Sequence, residues 1–112
     1  DLVATVDLRE IRDVKQVSCT FLESQVSWIF LPKRVELAVS ADGLRFTTLM
    51  LETVDAPTMR PQPSATAFGI GNSTPNKARY VRVRATTIGV CPEWHPGAGG
   101  KPWIFADEIV VR

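Results

Sequence analysis

Between Lys33 and Ser40 the chain alternates with a period of two. Val35, Leu37 and Val39 fall on one side, and Arg34, Glu36 and Ala38 on the other. That period sets successive side chains on opposite faces of a strand, one buried and one wet. The run stops at Ser40-Ala41-Asp42-Gly43, where Asp-Gly supplies the positive φ values of a tight hairpin turn. A return strand is predicted from Arg45 to Glu52, with Phe46 packing near the turn. One pairing of this kind, repeated at short spacing with little helical signal, confines the chain to an all-β sandwich or barrel.

The same reading extends along the rest of the sequence. Val14–Leu22 places Val17, Cys19 and Phe21 inside, and Arg79–Thr86 does the same with Val81, Val83 and Ala85. Leu2–Leu8 reads as a shorter strand with Leu2, Ala4 and Val6 on one face. Ile104–Val111 is the strand richest in apolar residues and is expected to be central. Three irregular stretches remain: Glu23–Pro32, a long surface connection over Asp55–Asn76, and the Pro/Gly-rich Gly89–Pro102. Long loops in a small domain usually carry function or mobility.

With 112 residues the chain is one domain, 1–112, and can bury one core. Its longest apolar run, Trp28–Leu31, is too short to cross a bilayer, so no membrane partner is expected. Thirteen Lys and Arg against twelve Asp and Glu leave a charge of +1. The arginines of Arg79-Tyr80-Val81-Arg82-Val83-Arg84 alternate with core residues, which suits a solvated strand face rather than a phosphate track. Nucleic acid is therefore not an expected partner. Cys19 and Cys91 can form one bridge or remain two buried thiols.

Catalysis finds little support. The single histidine, His95, lies in a Pro/Gly loop, no Gly-x-Ser-x-Gly elbow is present, and no spacing singles out a carboxylate pair. Cys91 and His95 could share zinc with Cys19, but a structural site takes four ligands. The alternative is that Cys91 packs under the loop and His95 hydrogen-bonds within it. Sugar binding asks for aromatic faces beside planar polar groups. The loops supply Trp28 and Phe30 in the first, Glu93, Trp94 and His95 in the third, with Gln25, Asn72 and Asn76 as further hydrogen-bonding groups. Each tryptophan has a second reading: Trp28 and Trp103 as plugs at the core's ends, Trp94 as a lock on its own loop.

Several segments together resemble the discoidin, or coagulation factor five/eight type C, domains, which are galactose-binding-like and include family 32 carbohydrate-binding modules. They are Trp28-Ile29-Phe30-Leu31-Pro32-Lys33, Val35-Glu36-Leu37, Ser40-Ala41-Asp42-Gly43 with Phe46, Ala78–Val83 and Ala106–Val111. The stretch Ile88–Gly99, with Cys91-Pro92-Glu93-Trp94-His95-Pro96-Gly97, followed by Trp103–Glu108, is similar to C-terminal domains of Bacteroidetes β-hexosaminidases (chitobiases). The resemblance implies an antiparallel β-sandwich of jelly-roll type and a non-catalytic accessory module of a bacterial glycoside hydrolase, β-N-acetylhexosaminidase or β-galactosidase in type. Such a module would be periplasmic, cell-surface or secreted. Its partners would be glycans ending in GlcNAc, GalNAc or Gal, held by Trp94, His95, Glu93, Trp28, Phe30 and Gln25, and the parent catalytic domain. The other reading is a docking domain that packs those loops on the parent enzyme and binds no sugar.

Relatives carry a further stretch ahead of the strand matching Leu2–Leu8, and the chain is expected to lack that N-terminal part of the family domain. In many of them that stretch supplies most of a calcium site, which a backbone oxygen at Ala106 and the carboxylate of Glu108 would complete here. Two donors do not fill the six to eight oxygens calcium takes.

Overall fold

The computed structural model describes residues 1–112 as five antiparallel strands, one 3₁₀ turn and no α-helix. The strands are β1 Leu2–Glu23, β2 Arg34–Ser40, β3 Thr47–Thr53, β4 Ser64–Thr86 and β5 Phe105–Val111, hydrogen-bonded in the order β3-β2-β4-β1-β5.

Two of these strands are long enough to make both layers. At about 3.3 Å per residue, the 22 residues of β1 would run some 70 Å straight, yet the molecule's longest dimension is 46 Å. The β1–β4 pair therefore bends back on itself. Register breaks lie between Asp7 and Arg12 and between Val14 and Gln16, with Arg9 at φ 76°. Bulges of this kind bend a strand and increase its twist. The first half of β1 pairs with Tyr80–Ala85 of β4, which also carries β2 and then β3. The second half pairs with Ser64–Gly71 of β4 on one side and with β5 on the other. Folded together, the two halves make an antiparallel β-sandwich, with both ends of the long strands at the loop-bearing end.

The core between the layers joins Val14, Val17, Cys19, Phe21 and Phe68 from one half to Val35, Leu37, Val39, Val81, Val83 and Ala85 from the other. Branched side chains dominate because they pack well on a pleated surface. Phe21 meets Phe68 edge to face at 5.8 Å. The spacing of three between Val14 and Val17 is the signature of the second register break, which resets the inward face. Both cysteines are free thiols in the interior, and burial pushes the Cys19 thiol up to about 11.

Four expectations need correction. Asp55–Asn76 is not one connection, since β4 begins at Ser64. In its opening half the small residues Ala65, Ala67, Gly69 and Gly71 alternate with larger ones, and a Cβ on Gly69 would fall 2.9 Å from the Cβ of Ser18, so only glycine fits against β1 there. Strand β5 lies at the sheet edge and is nowhere fully buried, rather than central. Its apolar residues pack from the side. The β2–β3 connection is longer than a two-residue turn, with only Gly43 at positive φ. Asp42 Oδ1 accepts from the Leu44 and Arg45 amides and the Ser40 hydroxyl, which holds its carboxyl below the usual range. Ala38, placed on the wet face by period, is also buried.

Two of the strand arginines are engaged within the fold. Arg82 stacks over Phe46 at 4.0 Å, and Arg79 forms two hydrogen bonds to Asp7 at 2.8 and 3.1 Å. That pairing, with the Arg9 amide, lowers the Asp7 carboxyl from 3.8 to about 2. A lowered folded-state value means the contribution is complete above pH 3.8 and lost as pH falls through about 2. Between pH 5 and pH 2 the wild type is expected to lose more stability than Asp7→Asn, measured by urea midpoints. Equal losses in both proteins would remove Asp7 from the acid response.

Candidate functional site

Two loops meet at the open end of the sandwich and hold each other by backbone. Ser24 and Ile29 exchange amide hydrogen bonds at 2.9 Å across the 3₁₀ turn Gln25–Ser27. Trp28 closes that turn at φ 63°. A bulky residue in the left-handed region costs about 1–3 kcal/mol and persists only where its surroundings over-determine it. They do here: the Trp103 amide donates to Trp28 O at 2.9 Å, and Phe30 N donates to Trp103 O at 3.1 Å.

The second loop closes at its neck, where Cys91 N donates to Gly100 O and Gly99 N to Cys91 O. Within it His95 N bonds Pro92 O and Gly100 N bonds Gly97 O. Gly97 and Gly100 are the floor under Trp28. A Cβ on either would lie within 2.8 Å of its indole, so only glycine lets the ring settle there.

His95 joins the two loops. Its Nε2 lies 2.6 Å from Gln25 O, and its Nδ1 accepts from the Gly97 amide at 2.9 Å. Those partners set the neutral tautomer with the proton on Nε2. Trp28, Phe30 and Trp94 surround the ring edge to face at 5.1–6.2 Å. A third segment is drawn in by Gln25, whose amide is buried. Nε2 donates to Thr58 O and Oε1 accepts from Arg60 N, both at 2.8 Å.

The result is a groove of about 440 Å³ lined by Val26, Trp28, Trp94 and Pro96 from the two loops and by Met59, Arg60 and Pro61 from the third segment. Trp28 and Trp94 keep 38% and 37% of their surface exposed, enough to offer part of each ring to a ligand while the rest is anchored. This volume lies within the about 300–1,000 Å³ of small-ligand sites.

The expected contact residues divide by burial. Trp28 and Trp94 face the groove. Phe30 is 1% exposed and packs beneath Trp94 and His95, which leaves it no face for a ligand, contrary to its place among the contacts. His95 and Gln25 line the groove but are buried with their polar atoms already paired, so they act as supports. Glu93 is exposed and has neither a hydrogen bond nor an ion pair, and it stands outside the groove's lining. Asn72 and Asn76 sit by the bend at the opposite end, Asn76 across from Val14. Met59 and Arg60 were not among the expected residues. The clamp that brings them spans 33 and 35 positions, and no local pattern announces it.

Zinc finds no donor set here. Ala106 and Glu108 lie on β5 opposite Phe21 and Thr20, and no group of three or more His, Cys, Asp or Glu side chains converges anywhere in the chain. Those side chains do not make a four-ligand zinc site.

No family model matches the sequence, and no curated protein matches it. Among solved structures the chain is similar to CBM32-1 from a family 31 glycoside hydrolase from Clostridium perfringens. The TM-score is 0.50 at 18% identity, over 77% of this chain and 58% of that one. This chain thus spans less than two thirds of that module's length. At that identity the likeness is one of fold: the chain has the antiparallel β-sandwich architecture of that module.

Proposed function

We propose that the chain is a non-catalytic carbohydrate-binding accessory module of a secreted bacterial glycoside hydrolase, β-N-acetylhexosaminidase or β-galactosidase in type. The observation that carries this reading is the groove between Trp28 and Trp94. A pyranose offers an apolar C–H face to an indole and hydroxyls to polar groups beside it, and Arg60 lines the same groove. Terminal GlcNAc, GalNAc or Gal would lie there. Support comes also from the fold shared with a solved CBM32 module and from the strained Trp28 backbone, a feature that clusters at ligand sites.

Affinity for a monosaccharide is expected to be weak, roughly millimolar to high micromolar, because each sugar hydroxyl gives up water for few contacts. Trp94→Ala should weaken binding about tenfold, which corresponds to ~1.4 kcal/mol of lost stacking and burial. Intrinsic fluorescence titration of wild type and variant with each sugar measures this. Unchanged affinity in Trp94→Ala would sink the assignment of the groove.

One observation favours a second reading, in which the same rim docks on the parent catalytic domain. Val26 and Met59 are 85% and 68% exposed beside the tryptophans, more apolar surface than a single sugar needs. Sugar-independent binding to that domain, lost in Val26→Asp, would separate docking from sugar recognition.

A further inference from the structure

Beside the tryptophan groove, and sharing no residue with it, lies a second hollow of about 460 Å³. Its apolar surface comes from Val54, Pro57, Ile88 and Val90, and its charged groups are Lys33 and Arg34. Backbone hydrogen bonds fix the walls: Lys33 N to Thr86 O at 2.8 Å, and Val54 N to Lys33 O at 2.9 Å.

Charge is sorted across the segment Thr53–Pro57. On its far side a third hollow gathers the carboxylates of Glu23, Glu52 and Asp55 with one cation, Arg60, which pairs with Glu23 at 3.8 Å. No carboxylate lines the side that holds Lys33 and Arg34, and neither cation takes part in any ion pair or side-chain hydrogen bond of the fold. Two adjacent cations without an internal partner, at the rim of an apolar hollow, are complementary to a carboxylate carried on a compact ring with a C–H face. An arginine fork matches a carboxylate with two parallel hydrogen bonds, and lysine adds a point charge.

We propose that this hollow is a second, charge-selective site that takes a carboxylate-bearing pyranose, a uronic acid. Arg34 and Lys33 hold the carboxylate, and Val54, Ile88 and Val90 carry the ring. This rests on the reading of the chain as a carbohydrate-binding module and extends it to acidic sugars.

The test is an amide-resolved NMR titration of the ¹⁵N-labelled chain with glucuronate and galacturonate. Glucose, galactose and sodium acetate serve as probes at matched ionic strength. Saturable shifts at Lys33, Arg34, Thr53, Val54 and Ile88 are expected with the uronates alone. Arg34→Ala and Lys33→Ala, both at exposed positions, should each weaken uronate binding about two- to fivefold, the range of a solvent-screened ion pair. Raising salt from low to about 0.5 M should weaken it further.

Absence of saturable uronate shifts in the folded protein overturns the proposal. So does acetate binding as tightly as the uronates, which would mean a bare anion patch, and so does uronate affinity indifferent to both variants. Failure of the underlying sugar reading shows elsewhere, as flat responses of Val26, Trp28, Met59 and Trp94 to neutral sugars. The two residue sets do not overlap, so each failure is seen separately.

Discussion

Gly97→Ala is expected to abolish sugar binding while leaving the sandwich folded. The new Cβ would fall 2.6 Å from Trp28 Cε2 and 2.8 Å from Cη2, far inside contact distance. Gly100 bounds the same ring and the Trp28 carbonyl is tied to Trp103 N, so the indole can yield only outward, into the groove it lines. If the second loop gives way as well, His95 moves with it and its contacts to Gln25 O and Gly97 N are disturbed, so either response closes or reshapes the groove. Overpacking costs about 1–3 kcal/mol and a lost buried hydrogen bond about 1 more, giving a loss of roughly 2–4 kcal/mol. Urea unfolding measures the loss, and fluorescence titration should find no saturable response. Gly99→Ala is the control. Gly99 sits at φ 79° with nothing within 4 Å of its would-be Cβ, so the change costs backbone strain alone and should spare the groove. Equal loss of binding in both would show that loop backbone, not the Trp28 floor, shapes the site.

The largest effect on stability is expected for Phe21→Ala. Phe21 is fully buried, where β1 runs between β4 and β5, across from Thr66 on one side and Ala106 on the other. Removing the ring leaves a cavity and ends the contact with Phe68, at a cost of about 3–5 kcal/mol. Domains of this size hold only about 5–15 kcal/mol in total. At a slope of about 1–3 kcal/mol per molar urea, the midpoint should fall by roughly 2 M. A fall under about 0.5 M would mean that the two layers are not packed through this ring.

What the sequence disclosed follows from where period and burial coincide. Val35, Leu37 and Val39, Val17, Cys19 and Phe21, and Val81, Val83 and Ala85 alternate cleanly and form the core. The union of Leu2–Leu8 with Val14–Leu22 into one strand was hidden. Arg9–Asp13 is polar or exposed on both sides, as befits a bend beyond the core. The first half of β4 was hidden for a different reason. Ala65, Ala67, Gly69 and Gly71 give one face of the segment no apolar signal, and at Gly69 a Cβ would press on Ser18 of β1.

At the site the aromatic residues were legible as a group, but their separation into surface and support was not. Loops have no period, so nothing local marks Phe30 as buried and Trp28 as half-exposed. His95 looked like a ligand contact because its two partners, Gln25 O and Gly97 N, are backbone atoms that no side-chain pattern reveals. The Met59–Pro61 wall depends on the reach of Gln25 across the chain.

The central claim, that the groove between Trp28 and Trp94 binds a sugar, is tested most directly by ¹H–¹⁵N titration of the labelled chain. Galactose, N-acetylglucosamine and N-acetylgalactosamine would be added to tens of millimolar, a range suited to weak binding. Saturable shifts confined to Val26, Trp28, Met59, Arg60 and the indole of Trp94 are expected, with one sugar preferred. A well-dispersed spectrum that stays unmoved by all three sugars would contradict it.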